Sequence, residues 1–185
     1  MRYINLSISL LFILLFSFEI LAKSYIEKRK ELDDISTQTV ELLSKNNATA
    51  ERELKSAFGY AVFDNSNVTV LFFGGSSGKG VLYNNKTKQR TYMKMAGANL
   101  GVGLGVKNIR IVFIFLSKED FIRFKDNGWV GGLQADATAK SKNKGGANDV
   151  QTDMSGVQTY VMTKKGVALQ VSLEGAKYWK DDALN

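Results

Sequence analysis

The hydrophobic pattern of this chain changes period at Gly59, and that change constrains the fold more than any other feature. Before it, Leu32, Ile35, Leu42 and Leu43 recur at helical spacing within 25–45, with Val40 near the same side. Asn46-Asn47 ends that helix, and a shorter one is expected over 50–58, with Thr49 as N-cap and Gly59 as C-cap. After Gly59 the segments 60–63, 68–73, 79–83 and 90–95 each have the length and composition of a strand. Asn65-Ser66-Asn67 and Asn84-Asn85-Lys86 are expected to supply turns between them. Residues 97–106 alternate glycine with apolar side chains, and 109–116 read as one strand, apolar except at Arg110. Ser117 then caps a helix over 118–126, with Glu119 and Asp120 well placed in its first turn. Strand-like stretches at 133–139, 157–163 and 167–173 follow. Strands joined by short turns rather than by helices form an antiparallel sheet. The expected class is α+β: N-terminal helices on a largely antiparallel, strongly curved sheet, with one further helix inserted between strands.

The first two dozen residues have a different character. Arg2 gives a short positive start, and 6–18 is apolar except for Ser7, Ser9 and Ser17. Ala22 or Ser24 offers a small residue for cleavage, which completes the order of a secretory signal. Asn5 and Glu19 bracket the run and leave it short of the roughly 20 apolar residues of a spanning anchor. The expected organisation is a signal peptide over 1–22 and a single domain over 23–185. The expected location is the periplasm or the cell envelope, with secretion as an open alternative. Arg2 and Glu19 would leave together, so the remaining chain keeps the formal net charge of +7. Such a balance favours anionic partners. Export makes a phospholipid surface the expected partner and argues against nucleic acid.

The chain contains neither cysteine nor histidine. Packing alone must therefore hold the fold, without a disulfide framework. An acylated N-terminal cysteine, as in bacterial lipoproteins, is excluded. So are Ser-His-Asp and Cys-His catalysis and the Cys/His zinc sites. No catalytic residue, metal site or cofactor is expected.

Several local patterns invite stronger readings. Gly74-Gly75-Ser76-Ser77-Gly78-Lys79-Gly80 resembles a phosphate loop, but only three residues separate Gly74 from Gly78 and a glycine follows the lysine. A tight glycine turn between strands, with Lys79 in solvent or near an anion, is the expected form. Gly101, Gly103 and Gly105 repeat with period two, which fits a strand lying close to another backbone. Asp136, Asp149, Asp153 and Glu174 are scattered, and are read as solvated or paired charges. Lys23, Lys28, Arg29 and Lys30 beside Tyr25 and Ile26 resemble an interfacial membrane-binding turn. An ordinary helix docked by its Leu/Ile stripe uses a different face, so both readings stand together. A basic loop carries Lys140, Lys142 and Lys144 before Gly145-Gly146.

An ordered set of pieces carries a family resemblance. They are Ala57-Phe58-Gly59-Tyr60-Ala61-Val62-Phe63, Gly74-Gly75 with Gly78-Lys79-Gly80-Val81-Leu82-Tyr83, Gly101-Val102-Gly103, and 121–124 with Gly128-Trp129. Ala135-Asp136-Ala137 and Lys165-Gly166 leading into 171–176 complete it. Together they run from about residue 30 to 178, and the sequence resembles the SYLF domain in its bacterial, exported form. The resemblance implies a lipid-binding module rather than a catalyst. Eukaryotic members bind phosphoinositide membranes, partly through a basic amphipathic N-terminal segment, and some bind actin filaments. Asp64 stands where a proline is frequent in the family, and no SH3 or other partner domain follows, so an actin role is not expected. The expected function is engagement of anionic phospholipid headgroups or membranes. The candidate contacts are Lys28, Arg29 and Lys30 on the first helix, Lys79 in the glycine segment, and Lys140, Lys142 and Lys144 on the loop. The alternative is a cell-envelope structural or protein-interaction module.

Overall fold

Two strands of 26 residues each, β1 (Gly59–Asn84) and β2 (Arg90–Phe115), form the frame of the domain. They belong to a computed structural model that describes residues 2–130, 156–166 and 176–185, with side chains from Ser24 onward except at 66–74, 98–107 and Val130. The other elements are α1 (Arg2–Asn46), α2 (Ala48–Ser56), α3 (Lys118–Asn127), β3 (Trp129–Val130), β4 (Val157–Thr163) and β5 (Ala176–Lys180). All pairings among the described strands are antiparallel: β1 with β2, β2 with β4 and β5, and β5 with β3. The class is α+β, with α1 and α2 before the sheet and α3 inserted between β2 and β3.

A straight 26-residue strand would span about 85 Å, about twice the roughly 40 Å width of a compact chain of this length. The β1–β2 ribbon therefore has to bend. The register shifts between Leu71 and Phe73, where an irregularity interrupts the ladder. The ribbon then returns on itself, so that the Asn85 N–H donates to the Phe58 carbonyl at 3.0 Å. Where the two halves of β1 meet there is no room for side chains. A Cβ on Gly80 would run into the Val62 carbonyl and lie 2.6 Å from the Phe63 ring. A Cβ on Gly78 would lie 2.7 Å from the Asp64 carbonyl. The glycine segment is thus strand, and the turn expected there does not form. The ladder runs through it, pairing Gly74 with Asn99 and Gly80 with Met93. The turn expected at 65–67 is likewise absent, because Asn65 pairs with Ile109 and Asn67 with Lys107.

The sheet is buried on both sides. Ala61, Phe63, Ile111, Phe113 and Phe115 face an aromatic core shared with Phe121 and Phe124 of α3, Trp129 and Tyr178. Phe113 is its hub, with ring centroids 5.2 Å from both Trp129 and Tyr178 and 5.8 Å from Phe124. On the opposite face Val62, Val112 and Ile114 pack under Leu43 of α1 and Ala50 and Leu54 of α2. Double burial is why 111–115 reads as unbroken apolar sequence rather than as alternation. Burial of the Tyr178 ring pushes its phenol far above the usual tyrosine range.

Several local expectations hold, and others change. Ser117 caps α3 by accepting from the Asp120 N–H at 3.1 Å. The turn after β1 forms around Asn84, whose side chain accepts from Lys86 N at 2.9 Å and Thr87 N at 3.0 Å. The N-cap of α2 is Asn47 rather than Thr49, since its side chain accepts from both Thr49 N and Ala50 N. Its C-cap is Ala57 rather than Gly59, because Gly59 already pairs with Phe115. The first helix begins at Arg2, so 2–46 is one unbroken helix. The strands expected at 133–139 and 167–173 and the acidic residues Asp136, Asp149, Asp153 and Glu174 lie outside the described residues. Replacing Gly80 by alanine is expected to lower stability by about 1–3 kcal/mol through overpacking. Gly75→Ala, whose added Cβ would meet, among the described residues, only the Gly97 carbonyl at 3.9 Å, should stay within about 0.5 kcal/mol of the parent. Urea unfolding of the two variants checks the pair.

Candidate functional site

Beside Lys28 and Leu32, helix α1 and the sheet border a cleft of about 500 Å³. One wall is the turn of α1 bearing Lys28, Glu31, Leu32 and Ile35. The other is built from Ser77, Gly78 and Lys79 of β1, Lys94, Met95 and Ala96 of β2, and Trp179 of β5, with Asp64 from the first half of β1. The second wall follows from the ladder, which places Lys79 opposite Lys94 and Lys94 opposite Trp179. The cleft therefore combines an apolar floor (Leu32, Ile35, Trp179) with charged groups of both signs.

The basic run on α1 does not act as one patch. Successive helix residues are turned by about 100°, so three in a row cannot share a face. Lys28 points to the cleft, and its Nζ also sits 5.5 Å from the Tyr25 ring centroid. Arg29 instead stacks on Tyr92, with Cζ 5.6 Å from the ring centroid. Tyr92 in turn donates to Asp33 at 3.2 Å, and Asp33 lies 3.2 Å from Arg90 Nε. Burial, then the Asp33 charge, raises the Tyr92 phenol above its ordinary value. This group fastens α1 to the start of β2, so Arg29 is structural. Lys30 is exposed and pairs with Asp34 at 2.9 Å; that hydrogen bond and the Asp34 charge hold its ammonium above the usual lysine range. Lys79 reaches the cleft from the sheet side and has no ion-pair partner among the described residues. Two of the expected contacts, Lys28 and Lys79, are thus brought together. Lys140, Lys142 and Lys144 lie outside the described residues.

Three contributors escaped the sequence reading. Lys94 lines the cleft and bonds Asp181 at 2.8 Å, a carboxylate that is only 2% exposed as a residue. Its outward position was available from alternation, since Met93 and Met95 point to the core on either side of it. Glu31 follows Lys28 by three residues, the spacing that keeps two side chains on one helix face. Trp179 left no such signal, because β5 is short and lacks an alternating apolar pattern. Among the described residues, no group of three or more Asp, Glu, His or Cys is arranged to hold a metal ion. Among the residues whose side chains are described, no helix is long and apolar enough to cross a membrane.

No protein-family model matches the chain. Among curated proteins, it is 31% identical over 158 residues to Beta cell expansion factor A from Aeromonas veronii. The match takes in 85% of this chain but 59% of that protein, so the chain spans about three-fifths of its relative's length. Over that span, this chain is similar to Beta cell expansion factor A.

Proposed function

We propose that this chain is an exported, non-catalytic lipid-binding domain of the SYLF type that engages anionic phospholipid headgroups at a membrane surface. The observation that carries the reading is the meeting of Lys28 and Lys79 across one cleft with an apolar floor. Unpaired lysines above buried apolar surface suit a headgroup phosphate with the start of its acyl chains below. The net charge of +7 supports the same partner at long range, by drawing the domain to a negative bilayer. The ordered SYLF-like pieces along the sequence and the secretory pattern of 1–22 support family and export respectively. The envelope protein-interaction alternative has no comparable feature in its favour among the described residues.

Flotation with liposomes tests the reading. Binding is expected with anionic vesicles, and it should weaken as salt shortens the reach of the charges. Absent or salt-insensitive binding, together with a stable envelope-protein complex, would replace the lipid reading. Lys28→Gln and Lys79→Gln should each weaken vesicle binding about fivefold, as expected for one charge near an anionic surface. Lys30→Gln, which removes a lysine already held by Asp34, should do much less. Joint replacement of Lys140, Lys142 and Lys144 by glutamine should also cost less than loss of Lys28 and Lys79; the opposite order would move the site to the loop.

A further inference from the structure

The cleft is not uniformly basic. Lys94 is committed to Asp181 at 2.8 Å, and Asp64 to Lys164 at 3.2 Å, with Arg110 Nε 3.9 Å away. That leaves Lys28, Lys79 and Glu31 on the lining, none with an ion-pair partner among the described residues. Two free cations thus stand with one free carboxylate, and Asp64 places a second carboxylate on the same lining. A doubly charged phosphate monoester would gain the two lysines but leave Glu31 facing like charge, which opposes binding. A phosphodiester carries a single negative charge, and with an attached ammonium it matches the lining group for group. Lys28 and Lys79 take the phosphate, and Glu31 takes the ammonium.

The kind of ammonium follows from the aromatic count. Quaternary ammonium is recognised by cages of several aromatic faces. Among the described residues this lining holds one aromatic residue, Trp179, and Lys177 Nζ already stands 6.0 Å from its ring centroid. A primary ammonium instead donates three hydrogen bonds, for which carboxylates are the acceptors. We infer that the cleft selects a zwitterionic phospholipid headgroup, a phosphodiester bearing a primary ammonium, of the ethanolamine type. This rests on the cleft being the headgroup site. The two charge effects act at different ranges: the net charge brings the domain to an anionic surface, and the lining chooses the headgroup once there.

The probes are glycerophosphoethanolamine, glycerophosphoglycerol and glycerophosphocholine, titrated into the whole protein and followed at the amides of Gly78 and Lys79 and the Trp179 indole by NMR. Glycerophosphoethanolamine should bind about threefold more tightly than either of the others, the scale of one exposed ion pair. Glu31→Gln should erase that preference, whereas Glu119→Gln, an exposed carboxylate on α3, should leave it intact. Vesicles of constant anionic content should lose binding when their ethanolamine lipid is replaced by choline lipid, which ties the soluble result to a membrane source. Equal affinities for the three probes, or a preference that survives Glu31→Gln, overturn the zwitterion inference and leave the headgroup reading standing. No response from any of the three at these positions overturns the headgroup reading of the cleft, and the inference with it.

Discussion

Phe63 lies where a side chain on Gly80 would have to be, and the Val62 carbonyl closes the same space from the backbone side. Everything else in the domain is arranged around that contact. A long two-stranded ribbon gains little from its own hydrogen bonds unless it also buries a face, and an isolated hairpin is marginal in water. By returning on itself over a glycine, this ribbon brings residues 59–65 and 78–84 together and wraps its inner face around Phe113, Tyr178 and Trp129. The outer face is then left for α1 and α2. Curvature, aromatic core and helix docking are consequences of one close backbone approach.

The parts of the fold that were legible in the sequence are those fixed by local chemistry. Ser117 caps its helix because a hydroxyl at that position can accept from the third amide onward, and Asn84 makes its turn by the same kind of local bond. The alternation of β4 needed only the pattern of buried and half-buried residues along 157–163. Apart from the N-cap of α2, which falls on Asn47 instead of Thr49, the misread parts depend on long-range pairing. Asn65-Ser66-Asn67 and the glycine segment carry turn chemistry, yet both lie in a ladder whose partners are far away in sequence. Turn propensity loses there to the hydrogen bonds supplied by β2.

The site divides in the same way. Lys79 was legible as a lysine among glycines, and Lys28 as part of a basic turn, but neither signal showed that they meet. Treating Lys28, Arg29 and Lys30 as one patch ignored the helical rotation that sends them to a cleft, an aromatic ring and solvent. The carboxylates that temper the cleft come from three separate parts of the chain, Glu31 on α1, Asp64 on β1 and, holding Lys94, Asp181 just after β5. Their presence changes the expected site from a simple positive patch into one with charge of both signs. No local pattern announces such balance, because it arises only when the strands are in register.

The central segment of β2 also sets the order in which the chain can become a protein. Residues 109–115 pair with 59–65 on one side and with Val157–Thr163 on the other. Roughly fifty residues of chain separate each partner from this strand, and contacts so distant in sequence make folding slow. A ribosome that has delivered α1, α2 and the whole β1–β2 hairpin still holds a sheet with one unpaired central edge. The domain is complete only after β4 has emerged, so folding waits for nearly the entire chain. During that interval the apolar run 111–115 lacks its second partner strand.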